Sequence, residues 1–115
     1  MPRVAYHSSL EAAIAAGPPT AGNLAIPVFA HGSMEAELYC PQGTDPQTPH
    51  SRDEIYIVAH GEGQFFNGEW VIDVSPGSFL FVPAGVAHHF LNMSDGFAVW
   101  VIFYGPDGGE ATAGD

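Results

Sequence analysis

From Leu24 onward, glycine and proline cut the chain into runs too short for helices of ordinary length, and most of those runs read as extended. Leu24 to Ala30 is apolar but contains Pro27, which predicts an edge or irregular strand. Met34 to Tyr39 alternates, with Met34, Ala36 and Leu38 on one side and Glu35 and Glu37 on the other. Cys40 to Pro49 reads as a long loop, and Glu54 to His60 as a β-branched strand. Gln64 to Phe66 and Trp70 to Val74 flank Asn67-Gly68, a strong hairpin signal. Phe79 to Val82, Ala87 to Asn92 and Phe97 to Tyr104 complete the set. Ahead of the strands, residues 8–16 read as one short helix. Ser8 is its expected N-cap with Glu11 at capping-box spacing, Leu10, Ala13 and Ile14 form its apolar stripe, and Gly17-Pro18-Pro19 stops it. Seven or eight short strands with helix only at the start predict an all-β sandwich, jelly roll or barrel.

A chain of 115 residues fits one domain. The expected division is a helix over 8–16, a barrel over 24–104 and a flexible, glycine-rich acidic tail over 105–115. The last strand, Phe97 to Tyr104, has no polar face. It must be covered on both sides, by a second sheet and a flanking segment or by a partner chain, and a homodimer is expected.

Thirteen acidic residues face only Arg3 and Arg52, a net charge of −11. Phosphate backbones would be repelled, which argues against nucleic-acid partners, and anionic membrane surfaces are disfavoured for the same reason. Cys40 is the single cysteine, so neither an intrachain disulfide nor a cysteine-rich metal site can form. No signal-peptide pattern opens the chain, and its longest apolar run is too short to span a bilayer. A cytoplasmic protein is the expectation.

Chemistry-bearing groups concentrate in Gln47 to Gly63 and in Pro76 to Asn92. By strand parity His50, Arg52, Glu54, Tyr56, Val58 and His60 share one face. His50 and Glu54 would lie about 13 Å apart in a fully extended chain, so sharing an ion requires a bend, which Pro49 and the polar stretch after it permit. An imidazole and a carboxylate from the first stretch, with an imidazole from the second, would make a 2-His-1-carboxylate set with positions left open.

Gly77-x5-Pro83-x-Gly85-x2-His88-x3-Asn92 resembles the second motif of the cupin superfamily at every fixed position. Glu54-x6-Gly61, preceded by His50, resembles most of the first motif. The resemblance implies a double-stranded β-helix, the jelly-roll cupin barrel. It also implies that His50, Glu54 and His88 hold a divalent metal ion (Fe, Zn, Mn or Ni) in the barrel interior. Where the family's first motif begins with a histidine pair, Thr48 occupies the place of the first histidine, and the leading glycine is displaced to Gly43. Gln47 is then the candidate for a fourth ligand; its alternative role is a backbone hydrogen bond in the loop.

His60 is a candidate base or substrate donor, or else a barrel-end histidine. Tyr56 is a candidate for proton transfer or pocket lining, or else core. Arg52 either pairs with a carboxylate such as Asp45 or Asp53 or reaches an anionic substrate. Asn92 reads as a hydrogen-bonding corner, and His89 points away from His88 by alternation. The implied function is a metal-dependent enzyme acting on a small organic molecule, an oxidoreductase of the dioxygenase type. The alternatives are a Lewis-acid isomerase or lyase and a non-catalytic binding or sensing protein.

Overall fold

In the computed structural model, which describes residues 4–18 and 24–111, the extended runs pair into two antiparallel sheets. The strands are β1 (Ala25–His31), β2 (Met34–Tyr39), β3 (Asp53–His60), β4 (Gly63–Phe66), β5 (Val71–Val74), β6 (Phe79–Val82), β7 (His89–Leu91) and β8 (Ala98–Tyr104). The larger sheet has the order β1-β2-β8-β3-β6 and the smaller one β5-β4-β7. β1 is an edge strand, as Pro27 requires, and its register against β2 shifts between Pro27 and Phe29. The hairpin at Asn67-Gly68 joins β4 to β5, with Phe66 opposite Val71. Its loop spans four residues, closed by the Asn67 side chain accepting from the amides of Glu69 and Trp70. Among the described residues, no helix is long and apolar enough to cross a membrane.

The main core lies between the sheets. Tyr56 and Val58 from β3, Val99 and Val101 from β8, and Leu80 and Val82 from β6 meet Phe65 of β4 and Phe90 of β7. The Tyr56 ring packs edge-on to Phe65 and Phe90, with centroids 5.9 and 5.1 Å away. Truncating either phenylalanine to alanine should cost about 3–5 kcal/mol. A second cluster on the outer side of the larger sheet joins Ala13, Ile26, Leu38 and Ala98, with Trp100 packed against it. The chain's own helix segment therefore covers part of the all-apolar β8, which runs centrally between β2 and β3.

Three local expectations change. Helix α1 (Leu10–Ala15) is capped by Ser9, not Ser8: Ser9 has the extended backbone of a cap, and its side chain accepts from the Ala12 amide. This register buries Ala13 and leaves Ile14 53% exposed. Pro19, part of the expected stop, lies outside the described residues. Residues 105–111, expected to belong to a free tail, are tied down. The Gly108 amide donates to the Ser51 carbonyl, and the Glu110 amide donates to buried Asp53, which also accepts from Ala84. Gly109 approaches Asp53 so closely that an added Cβ would sit 2.8 Å from Oδ1, and its φ is +90°. Residues 112–115 lie outside the described residues.

Candidate metal centre

The inner face of β3 carries Glu54, Tyr56 and Val58, all buried, and the first two of these are polar. Glu54 is 0% exposed at the start of the strand. His50 comes from the loop before β3, and the turn at Pro83–Gly85 holds it there: the Gly85 amide donates to the His50 carbonyl at 2.8 Å. Gly85 has φ +82°, so glycine is what lets this turn aim its N–H at the loop. His88 follows in the same segment, just before β7. The ligand-capable atoms of His50, Glu54 and His88 all lie within 4.8 Å of one another. His88 Nε2 is 2.8 Å and His50 Nε2 3.8 Å from Glu54 Oε1. The bend that brings His50 to Glu54 lies in the loop, not within the strand.

The cluster is rich in acceptors. His88 Nδ1 lies 2.8 Å from the Val86 carbonyl and must donate to it, which leaves Nε2 directed at Glu54. Tyr56 donates to Gln47 Oε1 at 2.9 Å, and its hydroxyl oxygen lies 3.1 Å from His88 Nε2. Neither oxygen of the buried Glu54 has a well-formed hydrogen bond. A nitrogen lone pair, a carboxylate and a hydroxyl oxygen therefore converge with at most one proton among them. Burial alone would lower the His88 pKa, yet the close contact with Glu54, the bond to the Val86 carbonyl and the charges of Glu54 and Asp45 raise it on balance. Burial, followed by the Glu54 charge, pushes the Tyr56 hydroxyl well above the ordinary phenol range. Two imidazoles and a carboxylate with an orphaned buried oxygen pair are a donor set that fits a divalent metal ion, and the Nδ1 bond of His88 is the usual orienting contact for a ligating imidazole.

A cavity of about 310 Å³ opens beside the cluster. Its wall includes Glu37, Tyr39, Gln47, His50, Tyr56 and Phe103. His50 of the cluster and Tyr56, which touches His88, form part of the wall, so the cavity borders the cluster on that side.

Tyr56 and Gln47 lie against the His50–Glu54–His88 group. Thr48 lines the cavity but is exposed. His60 does not join them. The register of β3 against β8 shifts between Val58 and His60, which takes His60 out of the strand's alternation; it is exposed and bonded through Nδ1 to the Gly96 carbonyl. Arg52 is also turned away, pairing with Glu35 at 3.0 Å and donating to the Gly105 and Ser33 carbonyls, not to Asp45 or Asp53. Asn92 is a corner residue with φ +48°, donating to Gln64, and His89 packs on Phe66. Sequence reasoning missed Asp45 and Glu37. Asp45 sits in the loop and binds Tyr39, Gln47 and Phe90, and Glu37 lines the cavity where strand alternation alone suggested only a polar face. Burial pushes the Cys40 thiol up, away from the thiolate form.

A cupin-domain family model matches residues 37–104. An uncharacterized protein of Streptomyces coelicolor is 42% identical over 77 residues, spanning 65% of this chain and 73% of that protein. A solved cupin-2 domain protein from Shewanella frigidimarina superposes with a TM-score of 0.61 at 20% identity, covering 70% of this chain and 79% of that one. The DMSP lyase DddQ from Ruegeria pomeroyi superposes with a TM-score of 0.57 at 29% identity, covering 64% of this chain but 39% of the lyase.

Proposed function

The chain belongs to the cupin-domain family, and on that footing we propose that it is a small metal-dependent enzyme acting on a neutral or chelating small organic molecule. The observation that carries this reading is the fully buried carboxylate of Glu54 facing two imidazoles, with ligand-capable atoms of all three within 4.8 Å of one another, beside an open cavity. His50, Glu54 and His88 would hold the ion. Bound there, a divalent metal would supply Lewis acidity toward a substrate carbonyl or enolate, or, as Fe(II), the capacity to react with oxygen. Tyr56 stands against His88 with the only hydroxyl bonded within the cluster among the described residues, which suits it to hold or move a proton at the reacting carbon. That feature, together with the likeness to a DMSP lyase, favours lyase or isomerase chemistry. The 2-His-1-carboxylate composition supports the second reading, a dioxygenase. Among the described residues, the cavity wall contains no lysine or arginine, and Arg52 is engaged elsewhere. A negative group on the substrate would therefore have to be met by the metal.

Metal analysis of anaerobically purified protein tests the centre. Elimination or isomerisation assays run beside oxygen uptake then separate the two chemistries. No metal retained after reloading would leave the non-catalytic binding protein as the surviving account. The single, half-buried Cys40 supports a reducing compartment such as the cytoplasm.

The outer face of the larger sheet supports a homodimer. Ile55 and Ile57 of β3 stand beside Phe81 and Phe79 of β6 and beside Ile102 and Trp100 of β8, with no charge among them. Phe79 and Phe81 are 63% and 50% exposed. In a chain of net charge −11, two copies can appose this face about a two-fold axis without bringing carboxylates together.

A further inference from the structure

We propose that Asp45 is a positioning residue: it turns the Gln47 side chain so that the amide oxygen, not the nitrogen, faces the centre and serves as a fourth ligand. The inference rests on the metal reading above. The two ends of a glutamine amide have the same shape, and only their partners decide which faces where. Asp45 is an acceptor, so the end of Gln47 that meets it must be the donor: Nε2 donates to Asp45 Oδ2 at 2.6 Å. The oxygen is thereby directed the other way. It lies 3.1 Å from His50 Nε2 and accepts from the Tyr56 hydroxyl at 2.9 Å.

Asp45 can do this because it is itself fixed. The Phe90 amide of β7 donates to Oδ2 at 2.8 Å, the Tyr39 hydroxyl of β2 donates to Oδ1, and the Gln47 amide closes on Oδ1 at 3.3 Å. The carboxylate is held from both sheets, and the loop carrying Gln47 and His50 is strapped to the barrel through it. An amide oxygen is a hard neutral donor suited to divalent ions. It occupies the neighbourhood that Thr48, exposed at the cavity wall, does not fill.

The test is Co(II) titration of the metal-free protein, reading affinity and the visible ligand-field spectrum. Gln47→Ala and Asp45→Asn should each weaken Co(II) by about 10–100-fold, the usual effect of losing an orienting partner, and alter the spectrum. The double variant D45N/Q47E should restore the spectrum and recover part of the affinity, because an asparagine nitrogen can donate to one carboxylate oxygen while the other faces the ion, at the cost of the Phe90 amide's bond to the same position. A purely structural Asp45 predicts instead that D45N lowers melting temperature, leaves the spectrum unchanged, and is not rescued by Q47E; that result overturns the proposal. If D45N fails to fold, Gln47→Ala carries the test, since it keeps the bonds of Asp45 to Tyr39 and Phe90. Wild-type protein that binds no Co(II) defeats the metal reading and this inference together. Binding that is lost in His50→Ala but spectrally unchanged in Gln47→Ala defeats this inference alone.

Discussion

The two faces of β3 invert the usual rule for a sheet in water. The inward face carries Glu54 and Tyr56 beside Val58, all buried, whereas the outward face carries Ile55 and Ile57, only partly covered. In an ordinary two-layer β protein the apolar positions point in and the charged ones out. Here a carboxylate is fully desolvated and isoleucines lie next to exposed phenylalanines. Burying an ionised carboxylate costs several kcal/mol, and here the groups facing it are the imidazoles of His88 and His50, 2.8 and 3.8 Å away, which offset that cost when protonated or when a cation sits between them. An uncovered apolar face points to a different occupant, another protein surface. One strand thus carries both proposed interfaces, the inner face that for an ion and the outer face that for a second copy of the chain.

The largest effect should come from the inner face. Glu54→Ala removes the only carboxylate of the set and should lower metal affinity by more than the roughly 100-fold that loss of a supporting residue costs. Isothermal titration with Zn(II) or Mn(II) measures it, and an unchanged affinity would break the inner half of the comparison. The outer face comes next. Replacing Phe79 and Phe81 together by glutamate should convert a homodimer to a 12.2 kDa monomer in sedimentation, with metal affinity preserved. A wild-type protein that already sediments as a monomer at micromolar concentration would remove the outer half.

A smaller effect follows from His88. Its native pKa is raised above the ordinary 6.5, so in the metal-free protein the protonated His88–Glu54 contact stabilises the fold fully below that value. The stabilisation is lost as pH rises through the native value. A metal must displace the same proton, so affinity should climb with pH over that window while metal-free stability declines. Melting curves and titrations at stepped pH check both trends. Affinity that stays flat there would take His88 out of the ligand set.

The sequence marks the strands well because Gly, Pro and Asn-Gly punctuate them, and it marks His50, Glu54 and His88 because the cupin-like spacings are local strings. What it hides depends on contacts across the barrel. The capping serine shifts by one position because Ser8 and Ser9 offer the same chemistry, and only Ser9 has the cap geometry. The 105–111 segment reads as a loose tail because Asp53, which anchors it, is far away in sequence. Asp45 reads as an ordinary loop acid, because its significance lies in Tyr39, Gln47 and Phe90 converging on it from separate elements.

His60 gives the sharpest case and the smallest predicted effect. Strict alternation from Glu54 and Tyr56 places it inward, beside the ion. The register shift between Val58 and His60 moves it out of that alternation, and the ring bonds to the Gly96 carbonyl at the surface. A bulge of this kind is set by cross-strand pairing with β8, which residues 54–60 alone do not encode. His60→Ala should therefore leave metal affinity unchanged and cost less than about 1 kcal/mol of stability, the contribution of one exposed neutral hydrogen bond. A loss of metal affinity in that variant would mean that β3 follows strict alternation and that the inner face extends one histidine further.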